Sequence, residues 1–104
     1  MYNRTEKLKE YLQQSPKDSF LKHALALEYI KLQQDEEAEK LFLEILADDA
    51  HYVGSYYHFG KLLERKNKNN EAIAIYAKGM EIAKQLQEMN AYRELQAAYE
   101  ELVY

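Results

Sequence analysis

The chain has 104 residues, of which 31% are charged, and its formal net charge at pH 7 is −4. This length suits one domain, and the acidic balance argues against nucleic-acid binding, because phosphate contacts require clustered Lys and Arg. The sequence has no cysteine, which excludes a disulfide framework, a thiolate nucleophile and a cysteine zinc site.

The N-terminal segment has no apolar core behind its charges, so we do not expect it to be a signal peptide. No apolar run approaches the roughly 20 residues of a membrane-spanning helix. We therefore expect a cytoplasmic protein that binds no membrane.

Helical spacing of apolar residues dominates the chain, while one proline and three glycines leave little to interrupt it. No segment shows the sustained alternation of a strand. The predicted helices cover about 3–14, 16–33, 36–47, 50–66 and 70–88, followed by a last helix after Asn90.

Polar residues between these segments are predicted to cap the helices. Ser15 is expected to open the second helix, with Pro16 at its first position and Asp18 completing a capping box. The other predicted caps are side chains that accept hydrogen bonds from the first N–H groups of a helix, namely Asp35, Asp49, Asn69 and Asn90.

An interval of 34 residues recurs along the chain. It separates Ser15 from Asp49, and Phe42 from Tyr76, and it also relates Asp35 to Asn69 and the pairs Glu37–Ala38 and Glu71–Ala72. Cap residues and apolar residues that repeat in phase indicate one helix pair used twice, as in helical repeat proteins.

The chain resembles tetratricopeptide repeats at a set of large and small residues along these helices. From 19 to 52 the matching residues are Leu25, Ala26, Tyr29, Ala38 and Phe42, and from 53 to 86 they are Tyr56, Phe59, Gly60, Leu63, Ala72, Tyr76 and Gly79. We expect Gly60 and Gly79 to be needed for close packing. Lys22 and Ile45 depart from the motif, since they stand where it has an aromatic and a small residue.

The resemblance implies an all-α fold, a right-handed superhelical stack of antiparallel helix pairs with about six helices. Within a single domain, 1–18 would be a capping helix from a partial repeat, 19–52 and 53–86 the two repeats, and 87–104 a C-terminal capping helix.

The resemblance also implies a function in binding other proteins, because the first helices of such repeats line a concave groove. Groove residues that it implies are Phe20, His23, Ala24, Leu27, Ile30, Lys31, Gly54, Tyr57, His58, Lys61, Glu64, Arg65, Arg93 and Glu100. The partner-binding prediction is the subset Phe20, His23, Leu27, Lys31, Tyr57, His58, Lys61 and Arg65. The alternative for Phe20, Leu27 and Ile30 is packing against a neighbouring helix.

A second hypothesis is self-assembly as a homodimer through the terminal helices, because apolar residues continue to Val103 and Tyr104. Enzymatic activity is the least favoured class, since no phosphate loop or catalytic arrangement is present. We predict no cofactor. His23 and His58 lack a convergent third ligand, so no metal site is predicted.

Overall fold

The computed structural model describes residues 3–104, which form six α-helices and no strand. The all-α class and the number of helices are as predicted. None of these helices is long and apolar enough to cross a membrane. The helices are α1 (Arg4–Gln14), α2 (Ser19–Lys31), α3 (Asp35–Asp48), α4 (Gly54–Arg65), α5 (Asn69–Gln85) and α6 (Met89–Val103).

The chain divides into two compact units, Met1–Asp49 and Ala50–Tyr104. In the first unit, α2 packs against both α1 and α3. In the second unit, α4, α5 and α6 pack against one another. Three short connections, 32–34, 66–68 and 86–88, join α2 to α3, α4 to α5 and α5 to α6, so these neighbours run antiparallel.

The core of each unit includes the residues that match the repeat motif. Ala26, Ala38 and Phe42 have no exposed surface in the first unit, and neither have Ala72 and Tyr76 in the second. Alanine at these positions lets two helix backbones approach, and the neighbouring aromatic rings fill the remaining space. The motif residues therefore mark the helix–helix contacts.

Two glycines are required by close packing, as predicted. A β-carbon on Gly60 would overlap the ring of Tyr76. A β-carbon on Gly79 would come too close to Tyr56. Both glycines lie inside helices, where glycine is unfavourable by about 1 kcal/mol relative to alanine, so the gain in packing offsets that loss.

Lys22 is buried, with 8% of its surface exposed, although lysine usually remains in solvent. Its Nζ lies 3.3 Å from Oε1 of Glu44 and 3.9 Å from Oδ2 of Asp48, both on α3. The departure from the motif at this position therefore places an ion pair where the repeat normally has an aromatic ring.

Ser15 and Asp49 do not open helices, so these predicted caps are wrong. Each ends the preceding helix, donating its backbone N–H to the carbonyl of Tyr11 at 3.0 Å or of Ile45 at 2.7 Å. Their backbone angles agree (φ −136°, ψ 70° and φ −146°, ψ 73°). Ser15 and Asp49 are therefore structurally equivalent, as their 34-residue separation suggested. They end α1 and α3, however, and do not begin the helices that follow.

The cap of α2 is Asp18, whose Oδ1 accepts a hydrogen bond from the Leu21 N–H at 3.0 Å. The predicted first helical position of Pro16 is wrong, because α2 begins at Ser19. Asp18 has an extended backbone (φ −72°, ψ 110°), which turns its carboxylate toward the open N–H groups of the helix.

Three helix–helix turns share a residue with left-handed backbone geometry. These residues are Gln33, Asn67 and Gln87, with φ of 59°, 61° and 60°. In each turn the next N–H donates to a carbonyl five residues earlier, at 2.8 to 2.9 Å, which is the Schellman arrangement. This turn ends α5 at Gln85, earlier than the predicted Glu88.

The same turns explain why three further caps were predicted wrongly. Asp35 and Asn69 are the first residues of α3 and α5, and Asn90 lies in the first turn of α6. The residues that precede these helices, Gln34, Lys68 and Glu88, make no side-chain capping bond. Their backbone is instead fixed by the turn.

Candidate functional site

A cavity of about 230 Å³ lies between the start of α1 and one face of α2 in the first unit. The α2 residues that line it recur at each turn, at 20, 23–24, 27–28 and 31, so they lie on one face of the helix. The lining residues are Arg4, Phe20, His23, Ala24, Leu27, Glu28 and Lys31.

Phe20 is the most exposed apolar residue of this cavity, with 66% of its surface accessible. This exposure favours the groove interpretation of Phe20 over packing against a neighbouring helix. Leu27 and Ile30 are half-buried. The ring of His23 packs edge to face on the buried ring of Phe42, with 6.0 Å between the ring centres.

The charged end of this cavity is an ion-pair network of two cations and one carboxylate. Glu28, whose side chain is 13% exposed, lies 3.0 Å from Nε of Arg4 and 3.3 Å from Nζ of Lys31. The two cations are largely in solvent. The network holds α1 on α2 and leaves a net positive charge at the edge of the cavity.

The second unit carries the other predicted residues along α4. The rings of Tyr57 and His58 meet edge to face at 5.5 Å, and Nζ of Lys61 lies 5.7 Å from the centre of the Tyr57 ring. Both rings are half-buried, whereas Arg65 is exposed. This surface is therefore an aromatic pair with cationic side chains beside it.

A polar network supports the Tyr57 side of α4. Lys61 Nζ lies 3.7 Å from Oε2 of Glu64, and the hydroxyl of the buried Tyr76 on α5 donates to the same carboxylate oxygen. The pKa of Tyr76 is raised well above its usual value, mainly by burial and secondly by this hydrogen bond. Glu64 is thus held between a cation and a phenol.

His58 has a pKa below its usual value because burial disfavours the charged imidazolium. The carboxylate of Glu94 on α6 opposes this effect in part. The ring therefore tends to remain neutral near physiological pH, and it can accept a hydrogen bond at one ring nitrogen.

The predicted site residues thus form two sets, one in each unit. Phe20, His23, Leu27 and Lys31 line a single cavity, and Tyr57, His58 and Lys61 lie together on α4. Arg4 was missed, because only the packing of α1 on α2 brings it into the first set. Glu28 was also missed, although it lies on α2 four residues after Ala24 and its spacing could have indicated it. Other residues implied by the resemblance are at the exposed start of α4 (Gly54) and on the exposed surface of α6 (Arg93, Glu100).

The histidines do not form a metal centre with their surroundings. Within residues 3–104, no group of three or more His, Cys, Asp or Glu side chains is arranged to hold a metal ion. His23 and His58 lie in different units.

Comparison with solved structures places the chain among repeat proteins. A tetratricopeptide repeat domain protein from Salinibacter ruber is 40% identical; its crystal structure has a TM-score of 0.78 over 82% of this chain and 94% of that one. Its solution structure has a TM-score of 0.81 over 85% and 89%. A protein from Bordetella parapertussis, 24% identical, has the same fold, with a TM-score of 0.84 over 98% and 89%.

No model of a known protein family matches the chain, and no curated protein does. The assignment comes instead from the S. ruber protein, whose identity and coverage agree with the helix order and with the buried motif residues. Protein binding is typical of such repeats. The chain belongs to the tetratricopeptide repeat family.

Proposed function

We propose that this protein is a non-enzymatic interaction module that binds a peptide or a helix of a partner protein. The observation that carries this proposal is the α2 cavity, where exposed Phe20 and half-buried Leu27 lie beside cationic Arg4 and Lys31. An exposed apolar anchor with polar residues around it is the usual composition of a binding surface. A cytoplasmic location is part of this proposal.

The chemistry of the cavity favours a partner segment that has both hydrophobic and acidic residues. An apolar side chain of the partner would enter between Phe20 and Leu27 and displace water from both. An acidic residue next to it would approach Arg4 and Lys31, which are 65% and 74% exposed and can reorient toward a new carboxylate. The expected partner is therefore an acidic, amphipathic peptide or helix.

The α4 surface offers a second contact of different character. Tyr57 has a large apolar body and few torsions to restrict, so it loses little entropy on binding. Lys61 beside it, and exposed Arg65 one turn further along α4, would attract acidic groups. We propose that this surface also contacts the partner.

Selection from a display library of random peptides tests the proposal. We expect the selected peptides to combine acidic and large apolar residues. Leu27→Ala and Tyr57→Ala should each weaken binding of these peptides by about tenfold or more, as expected for anchors at a hot spot. Helicity, measured by circular dichroism, should stay unchanged.

Leu43→Ala is the matched control, because Leu43 is an exposed leucine on α3 that lines neither surface. It should bind the selected peptides as the wild type does. Equal binding by Leu27→Ala, Tyr57→Ala and the wild type would show that the peptides use another surface.

A homodimer is the second candidate function, because α6 ends in exposed apolar residues. Tyr104 is 94% exposed and Val103 is 37% exposed. Pairing of these side chains between two copies would bury them. A chain truncated after Glu100 should then be a monomer by light scattering, and a dimer that survives the truncation would refute this interface.

A further inference from the structure

A second cavity lies in the first unit, among α1, α2 and α3, and has a volume of about 330 Å³. It shares no lining residue with the α2 cavity described above. Its wall combines three apolar residues with two lysines and two other polar side chains. The lining residues are Lys9, Leu12, Gln13, Pro16, Lys22, Leu41 and Glu44.

The repeat shows what fills the corresponding space in the second unit. Tyr56 stands 34 residues after Lys22, and Ala50 stands 34 residues after Pro16. The Tyr56 hydroxyl donates to the Ala50 carbonyl at 2.7 Å, so an aromatic ring spans these two positions. In the first unit, the residues at both positions line an open cavity.

Lys22 lies in the wall of this cavity and does not fill it. Its ammonium group pairs with Glu44 and Asp48 on α3. A lysine stem is also narrower than an aromatic ring. Ile45, which stands where the second repeat has Gly79, is fully buried and fills part of the volume that the phenol ring takes there. The remaining part is open in the first repeat, with Leu12 and Leu41 as its apolar walls.

We propose that this cavity receives a tyrosine side chain of a partner protein. The ring would lie between Leu12 and Leu41, and its hydroxyl would donate to the Pro16 carbonyl, as Tyr56 does to Ala50. The side chains of Lys9 and Lys22 line the same space. Lys9 Nζ already lies 5.8 Å from the centre of the Tyr29 ring, and it would turn toward the face of the bound ring, where a cation is attracted by the π electrons. The hydrogen bond to Pro16 and the attraction between a lysine cation and the ring would favour a phenol over an aliphatic side chain.

The test uses p-cresol, which is the side chain of tyrosine as a free molecule. In a methyl-labelled sample, titration should shift the resonances of Leu12 and Leu41 and leave those of Leu27 and Leu95 in place. Toluene lacks the hydroxyl and should bind about fivefold more weakly, the loss expected for one neutral hydrogen bond. Equal affinity for both probes, or shifts spread over all four leucines, would overturn the proposal.

Two variants block the cavity in different ways. Lys22→Tyr combined with Ile45→Gly recreates the pair found at Tyr56 and Gly79, so the new ring should fill the space and abolish p-cresol binding. Gln13→Trp places a large side chain at the exposed edge of the cavity and should weaken binding even if the double variant does not fold. Gln14→Trp is its control, because Gln14 is exposed and does not line the cavity.

Unchanged p-cresol binding in Gln13→Trp would place the probe elsewhere and refute the assignment. Light scattering distinguishes the source of the tyrosine. A monomer agrees with a partner of another kind. A dimer that p-cresol dissociates would show that the tyrosine comes from a second copy of this chain and would overturn the assignment to another protein.

Discussion

Tyr56 and Gly79 are in such close contact that a β-carbon on residue 79 would lie 2.6 Å from Cβ of Tyr56 and 3.1 Å from Cδ1 of Leu95. Helices α4, α5 and α6 therefore meet at this glycine. In the first unit the corresponding residues are Lys22 and Ile45, 34 positions earlier. The aromatic residue and the small residue are replaced together, so the two departures from the repeat motif are one compensated exchange.

Gly79→Ala should destabilise the protein by about 1–3 kcal/mol, because the added methyl group overpacks a junction with no room for it. The higher helix propensity of alanine offsets only about 1 kcal/mol of that cost. Urea unfolding followed by circular dichroism measures the difference. Gly54→Ala is the control, since Gly54 is exposed at the start of α4, and it should be neutral or stabilising. A Gly79→Ala variant as stable as the wild type would contradict the close contact.

Gln87→Gly should stabilise the protein by about 0.5–1 kcal/mol, because glycine adopts the left-handed backbone at φ 60° without steric strain. Gln33→Gly should behave in the same way, whereas Asn67→Gly should gain less, since asparagine tolerates this geometry. The control is Gln96→Gly inside α6, which should lose about 1 kcal/mol. Thermal unfolding should show that Gln87→Gly gains stability and Gln96→Gly loses it, which would confirm the turns. A loss of stability in Gln87→Gly would refute them.

Tyr76→Phe should cost about 1–3 kcal/mol at neutral pH, because it removes the hydrogen bond to the Glu64 carboxylate. The pKa of Tyr76 is raised in the folded state. This stabilisation is therefore fully present below about pH 10, the usual pKa of tyrosine, and is lost as the pH rises further. Urea unfolding at about pH 7 and about pH 11 should show the wild type losing its advantage over the variant. Tyr104→Phe, at an exposed position, should match the wild type at both values.

His58 should make the protein less stable in mild acid. Its pKa is lowered in the folded state, so the unfolded chain binds the proton more readily and stability declines as the pH falls below about 6.5. His58→Gln should reduce the loss of stability between about pH 7.5 and about pH 5.5. His51→Gln, at an exposed histidine, should leave that loss unchanged. If His58→Gln retains the full acid sensitivity, other groups cause it.

The helices were predictable from sequence because their apolar spacing reflects burial. The motif residues Ala26, Ala38, Phe42, Ala72 and Tyr76 are all fully buried. Their ends were less predictable, because a short polar side chain is common both where a helix begins and where it ends. Ser15 and Asp49 are examples of the second case. Glutamine has no strong turn preference, so no local signal marked Gln33 or Gln87 as left-handed.

Half of the candidate site was predictable for a related reason. Residues on one helix face, such as Phe20, His23 and Leu27, can be grouped by spacing alone. Arg4 joins them only because α1 packs on α2, a tertiary relationship that the period does not encode. The ion pair of Arg4 with Glu28, which joins these two helices, could therefore not be predicted from the sequence.

The packing inside each unit joins helices that are close along the chain, and this has a kinetic consequence. Closing such short loops costs little chain entropy, so each unit can form its contacts early, in the microsecond-to-millisecond range typical of helical proteins with local contacts. Amide protons of the helices in the first unit and of those in the second would then exchange with solvent as two groups, each with its own opening free energy. Ligands that bind one unit would slow exchange in that unit first.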